Sequence, residues 1–256
     1  MLLQIISKDK ATEFVRKTHY SKVMPKLTKY FLGCFIDDPN SLFENNKLVG
    51  VITLGWGTRP LHTIQKLFTG YTSNDYYEIG KMCMSEEMPR NSESQLLSLT
   101  INWMKKNTPE KKYLFTWADG IVGKPGYVYQ SANFLYGGYI WTEVYVTAKN
   151  EKIHPRTMQG LGEKKEGQSY GSRPNFDARK DLNLSRVWGK QFRFIYPLSK
   201  QSRKYLKNST VEWNIDYPKD KDLIWDILRP GETDKEQTTI MPFIQTGYLE
   251  LQNISN

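Results

Sequence analysis

Apolar and polar positions along the chain fall into short blocks whose period keeps changing. Leu2–Ser7 is a brief apolar run that reads as a strand. Lys8–Tyr20 carries Ala11, Phe14 and Val15 as a helical stripe, with Ser7 or Asp9 as start signal and Pro25 barring continuation. Tyr30–Ile36 and Lys47–Trp56 read as an antiparallel hairpin around the turn-rich DDPNSLFENN, and 58–74 as loop with a short helix near Leu61–Phe68. Tyr76–Met84 is a further strand. SEEMPRNSES then leads into a helix from Gln95 to Asn107, with Ser92 as cap and Glu93 in the first turn.

Tyr113, Leu114, Phe115 and Trp117 make a run of the buried-strand type that ends at Ala118-Asp119-Gly120. Gly120, Gly123, Pro125 and Gly126 break regular structure. A short helical phrase with Tyr127, Tyr129 and Gln130 follows, closing at Phe134 and Gly137-Gly138, and Tyr139–Ala148 reads as strand. The order predicts an α/β (α+β) fold: a mixed, mostly antiparallel sheet flanked by helices. A carboxylate at a strand end, a glycine-rich loop and a tyrosine on the next helix together predict a pocket around Asp119 and Tyr129.

Beyond Asn150 the pattern changes. Residues 151–185, rich in Gly, Lys, Glu, Ser and Arg, read as a long ordered arm. Arg186–Lys207 has seven Lys or Arg, no acid, and Trp188, Phe192, Phe194, Tyr196 and Tyr205 between them. Cations for phosphates and rings for stacking would suit nucleic acid; a core strand QFRFIYPL followed by a solvated basic helix fits the same letters. The acidic phrases DYPKDKDLIWD and ETDKEQ make the tail a structural cover. The predicted division is a core over 1–150 and, over 151–256, a basic arm and extension packed on it that helps bind DNA.

Composition narrows the partners. The 256 residues carry a formal charge of +9, with seven Trp and sixteen Tyr. That argues against disorder and for a polyanionic partner, although an inert basic surface accounts for the charge about as well. Cys34 and Cys83 each sit in an apolar run and read as buried free thiols of a reducing compartment. There is neither a signal-peptide pattern nor a membrane-length apolar run, which predicts a soluble, cytoplasmic protein without a membrane partner.

HYS at 19–21, PRNSES at 89–94, ADG at 118–120, YQSANFLYGG at 129–138 and HPRT at 154–157, in that order, resemble the Mom DNA-modification proteins of bacteriophages. The likeness covers roughly residues 15–200. It implies a GNAT acyltransferase-like fold and an enzyme that puts a carbamoylmethyl (acetamido) group on adenine N6 in double-stranded DNA, shielding phage DNA from host restriction. It implies roles as well. Asp119 would take the N6 proton and Tyr129 would donate to a developing oxyanion, whereas a turn-forming Asp and a half-buried core Tyr are the plainer readings. His19 and Tyr20 match a functionally important pair, and iron has been discussed for the family. Yet no two of His19, His62 and His154 have metal-ligand spacing, so iron at His19 would need tyrosines or Asp119, and a helix-end histidine is the bland alternative.

Arg90, Asn91, Ser92, Ser94 and Lys81 would bind donor or phosphate. Trp117 and Tyr127 would stack on a flipped base. Arg156, Arg173, Arg186, Lys190, Arg193, Arg203 and Lys204 would contact DNA. An acyl-CoA enzyme of the GNAT type carries a glycine-containing pyrophosphate loop, and SEEMPRNSESQ has no glycine. That leaves two group donors, acetyl-CoA and glycyl-tRNA, the second adding tRNA as a partner. The competing functions are an acetyl-CoA-dependent N-acetyltransferase acting on a small amine or protein, and a non-catalytic DNA-binding module.

Overall fold

The computed structural model describes residues 1–37, 46–57, 60–159, 171–245 and 247–249. Most of the DDPNSLFENN loop, and residues 160–170 of the predicted arm, lie outside the described residues. Two compact units share the chain, and they interleave in sequence. The first takes Met1–Trp117, Gly126–Gly138 and Arg193–Tyr217; the second takes Ala118–Pro125, Tyr139–Phe192 and Pro218–Asn256.

In the first unit, β1 (Leu2–Ile5), β2 (Thr28–Asp37), β3 (Asn46–Gly55) and β4 (Tyr76–Met84) pair antiparallel in succession. Between them lie α1 (Lys8–Thr18) and α2 (Pro60–Leu67). Of the two predicted start signals Ser7 is the α1 cap, since its Oγ accepts from Lys10 N at 3.2 Å, and Asp9 lies in the first turn. Its buried face, Ala11 and Val15, packs on Val51 and Cys83. β5 (Tyr113–Ala118) pairs parallel with β4, a geometry that needs the crossover supplied by α3 (Ser92–Asn107). Next to β5 come the end of β8 (Ser185–Pro197) and then the start of β6 (Leu135–Val146). The result is the predicted mixed, mostly antiparallel sheet with flanking helices. Its core gathers Ile64, Phe68, Tyr76, Tyr113, Phe115, Ile195 and Leu206, and Tyr113 Oη donates to Ser202 O at 3.0 Å from α7 (Lys200–Tyr205).

Two local expectations need correction, and one open alternative is decided. The α3 N-cap is Asn91, left-handed at φ 72°, while Ser92 is the first helical residue and its hydroxyl donates to Pro89 O at 2.6 Å. Gly137-Gly138 is not a break after α4 (Tyr127–Ser131), because both glycines lie inside β6. The strand needs a bare Cα at 137: a Cβ there would come within 2.2 Å of the Trp213 ring. Gly137→Ala should therefore overpack the site and lower unfolding free energy by about 1–3 kcal/mol, measurable by urea denaturation. For Phe192 and Phe194 the core-strand reading of QFRFIYPL holds, since both are fully buried. The alternating strand has spent them on the core, and a basic helix, α7, follows as the plainer reading had it.

The second unit pairs β6 with β7 (Lys152–Ile153) and β8 with β9 (Trp225–Leu228), and β9 with β10 (Glu236–Thr238), all antiparallel. It also holds α5 (Pro155–Gln159) and α6 (Phe176–Asp181). Tyr145, Ile153, Met158 and Leu184 form a core here, and Trp225 Nε1 donates to Ile121 O at 2.8 Å. Among the described residues no helix is long and apolar enough to cross a membrane.

Candidate active site and nucleic-acid interface

The sheet of the first unit brings the 19–21 motif to Lys81. A register shift between Thr53 and Leu54 leaves Gly80 without a partner on β3, and a Cβ on it would lie 2.7 Å from Pro25. Past this bulge Lys81 Nζ donates to Ser21 Oγ at 2.8 Å. His19 ends α1 through its backbone N–H to Val15 O and stacks on Tyr20 at 4.4 Å. Ser21 N–H donates to His19 Nδ1 at 2.9 Å, which places the neutral ring's proton on Nε2. Among the described residues no three His, Cys, Asp or Glu gather to hold a metal.

At the start of α3 the loop 85–91 turns on Met88 N to Ser85 O and Ser92 N to Pro89 O rather than on glycine. Asn91 makes no side-chain cap bond, so its side chain does not close the helix's first turn to an anion. Arg90 is exposed beside it. Ser94 Oγ and Ser131 Oγ, 2.6 Å apart, tie this turn to α4, which carries the exposed Tyr127 and the half-buried Tyr129. Tyr129 packs between Phe134 and Phe194, at 5.6 and 5.5 Å.

Trp117, Arg193, Gly137 and Trp213 form another group. The Arg193 guanidinium lies 5.2 Å from the Trp117 ring, and its Nη1 donates to Gly137 O at 2.9 Å. Arg193 is thus engaged with an aromatic ring and a main-chain carbonyl, while its Nε and Trp213 Nε1 are buried without hydrogen-bond partners. On β4, Glu78 receives the Gly57 backbone N–H, and its Oε2 is buried without a partner. Burial raises its carboxyl to about 7, partly countered by that N–H.

Asp119 belongs to the second unit. Its carbonyl accepts from Val122 N at 3.0 Å and Lys124 N at 3.2 Å, forming the tight turn after β5. Its charge acts on Lys152 and Tyr248, neither of which the sequence singled out. Lys152 is buried, donates to Ile244 O at 3.3 Å and faces the Tyr248 ring. Burial holds its ammonium below the usual lysine range, and Asp119 offsets part of that. Tyr248 also meets His154 of the HPRT motif, ring edge to face at 5.4 Å.

The predicted basic contacts divide. Arg156 is exposed on α5, and Arg203 and Lys204 are exposed on α7. Arg173 and Arg186 both pair with Glu143 of β6. Lys190 donates to Asp222 O at 3.0 Å and lies 4.8 Å from the Tyr139 ring. Tyr139 and Trp141 are exposed, edge to face at 6.0 Å, on the strand face that alternation also gives to Glu143 and Tyr145. The signal for them was the period of two in YIWTEVYV, which predicts a strand but not which face stays open. A surface cavity of about 700 Å³, lined by Tyr71, Lys105, Lys111, Lys112 and Tyr205, contains none of the predicted catalytic residues.

The Mom protein family matches residues 1–219. The chain belongs to that family. It is 27% identical over 209 residues to the "Methylcarbamoylase mom" of Escherichia phage Mu, covering 82% of this chain and 80% of that protein. Among solved structures, an N-acetyltransferase from Staphylococcus aureus Mu50 matches with 12% identity and a TM-score of 0.37, over 77% of this chain and 97% of that one. All five motifs that carry the resemblance lie inside the Mom match. So do the Lys81–Ser21 bond, the α3 start and Trp141. Lys235 and Tyr248 lie beyond it.

Proposed function

We propose that this chain is a DNA-modifying transferase that installs a carbamoylmethyl group on adenine N6 and so protects phage DNA from host restriction. The observation that carries the reading is the Mom family match across residues 1–219, with a methylcarbamoylase among the relatives. The exposed Tyr139–Trp141 pair beside Lys190 supports a nucleic-acid partner, with rings for bases and a cation for phosphate. In this reading Asp119 accepts the N6 proton as the new bond forms. Tyr129, His19 and Tyr20 assist, Trp117 and Tyr127 receive the extruded base, and Arg90, Asn91, Ser92, Ser94 and Lys81 hold the donor.

Glycyl-tRNA is the proposed donor, since the connection before α3 has no glycine for a backbone pyrophosphate cradle. N6 displaces the tRNA from the glycyl carbonyl. The glycyl amine then attacks ring C6, and cleavage of the original C6–N6 bond leaves N6 as the amide nitrogen of a carbamoylmethyl group. This sequence consumes no oxidant and needs no second nitrogen source. Nuclease-treated, tRNA-free reactions should be inactive; modification there with acetyl-CoA as donor would refute this route.

The function itself is tested by nucleoside mass spectrometry on plasmid DNA from cells expressing the protein. The expected result is an adenine nucleoside with one hydrogen replaced by carbamoylmethyl; only unmodified adenine, at good expression of the folded protein, overturns the proposal. For the interface, Trp141→Ala should weaken duplex binding by about 1–3 kcal/mol with little change in salt dependence. Lys190→Ala should instead reduce the slope of log K against log salt by about 0.9. Fluorescence anisotropy over a salt series separates the two.

A further inference from the structure

The second unit holds a cluster whose charges do not balance. Glu143 is almost fully buried on β6 and sits between two guanidiniums: Arg186 of β8 reaches Oε2 through Nε at 2.7 Å and through Nη2, and Arg173 reaches Oε1 through Nη1. Two residues along the strand, Tyr145 is fully buried and its hydroxyl has no hydrogen-bond partner. Arg179 of α6 is only 6% exposed, and its Nη1 has no partner either. Tyr145 packs in one cluster with Leu184, whose N–H donates to Arg179 O at 2.9 Å, and the charges of Glu143, Arg186, Arg173 and Arg179 all act on its hydroxyl.

Glu143 can neutralise one guanidinium of the three. A buried guanidinium N–H and a buried hydroxyl left without acceptors are each costly, and folded proteins rarely keep both without an acceptor, an ordered water or a ligand, beside them. Core packing alone would fill the place with apolar side chains. What is built instead is a pair of donors beside surplus positive charge, with the half-exposed Arg173 giving the cluster a solvent side. Arg186 and Lys235 both lie over the Trp188 ring, at 4.5 and 4.0 Å, adding cationic character.

We propose that Arg179, Tyr145, Arg173 and Arg186 form a binding site for a phosphoryl group. Guanidinium forks match phosphate oxygens in planar, paired hydrogen bonds, and a phosphate oxygen would accept from both orphaned donors while offsetting the surplus charge. A carboxylate ligand would offer fewer acceptor oxygens to donors contributed by two strands, a helix and a loop. The site does not depend on adenine chemistry, and it would stand even if the chain modified no base.

The experiment titrates the full-length protein with inorganic phosphate against sodium chloride of matched ionic strength, reading melting temperature and calorimetric affinity. Phosphate should raise the melting temperature saturably, well beyond chloride. Arg179→Met should weaken phosphate affinity by about 10- to 100-fold, as for a lost charged hydrogen bond. Tyr145→Phe should weaken it by about 3- to 10-fold, as for a neutral one. The second variant removes only an unpaired buried hydroxyl, so its melting temperature in chloride should stay at or above that of wild type, and it keeps the test decisive if Arg179→Met fails to fold. A phosphate response no larger than that of chloride, or full wild-type affinity in Tyr145→Phe, overturns the site. Competition then names the source. Displacement by a short DNA duplex marks a backbone phosphate, and displacement by a mononucleotide but not by duplex marks a small phosphorylated ligand; either result upholds the site.

Discussion

On the proposed function, Asp119→Asn should lower adenine modification by about 10²- to 10⁴-fold, the range for loss of a positioned general base, while duplex binding should stay near wild type. The substitution keeps the shape of the side chain, removes its charge and basicity and turns one acceptor oxygen into an N–H donor. The turn that Asp119 builds survives, because the bonds from Val122 and Lys124 end on its main-chain carbonyl. One side effect is expected. Lys152 loses a compensating charge, so its ammonium becomes somewhat easier to deprotonate. Mass-spectrometric quantification of modified adenine, alongside anisotropy for binding, separates chemistry from affinity. Wild-type modification by the Asn variant would reduce Asp119 to a turn-former with a lysine neighbour.

The second large effect concerns Glu78 and pH. Folding raises this carboxyl from its ordinary 4.5 to about 7, so between those values the native state holds a proton that the unfolded chain has released. Stability is therefore highest below pH about 4.5 as far as this group is concerned, declines up to about 7 and levels off above. The full excursion is of the order of 3 kcal/mol. Glu78→Gln, which cannot ionise, should remove that decline and be the more stable protein at pH 8. Urea denaturation of both proteins at intervals from pH 4.5 to 8 checks it. Parallel curves would mean that the carboxyl ionises in the fold without penalty.

How far the sequence spoke depends on which physics each element rests on. The Ser7 cap, the Tyr76–Met84 strand and the Tyr113–Ala118 run are local, and all three were legible from period and side-chain type. Gly137 was misread because a glycine pair resembles a break. Its true reason, the Trp213 ring, comes from 76 positions later in the chain. Stacking rings and a core strand both fitted Phe192 and Phe194, because composition cannot say which face of a strand is covered. Ser92 looked like the cap because the left-handed backbone that lets Asn91 serve has no one-letter signature. The site shows the same split. HYS and PRNSES were visible as motifs, but the Lys81–Ser21 bond depends on a bulge in β4, and Lys152 and Tyr248 reach Asp119 only through tertiary structure. Glu143 read as an ordinary strand residue; only folding gathers three arginines near it.

The interleaving of the two units has a consequence for synthesis. The first unit needs Ile195, Leu206 and the Ser202 carbonyl that receives the Tyr113 hydroxyl. A nascent chain released only as far as β6 can already pack Phe68 and Tyr76 on Tyr113 and Phe115, but it still lacks the cover that Ile195 and Leu206 supply. At translation speeds of about 5–20 residues per second, that interval lasts several seconds, during which the ribosome-bound chain is a client for chaperones rather than a folded domain. The first unit is therefore complete only once residues 193–217 have been made. Arrest peptides placed before and after residue 217 should register a folding force only at the later position.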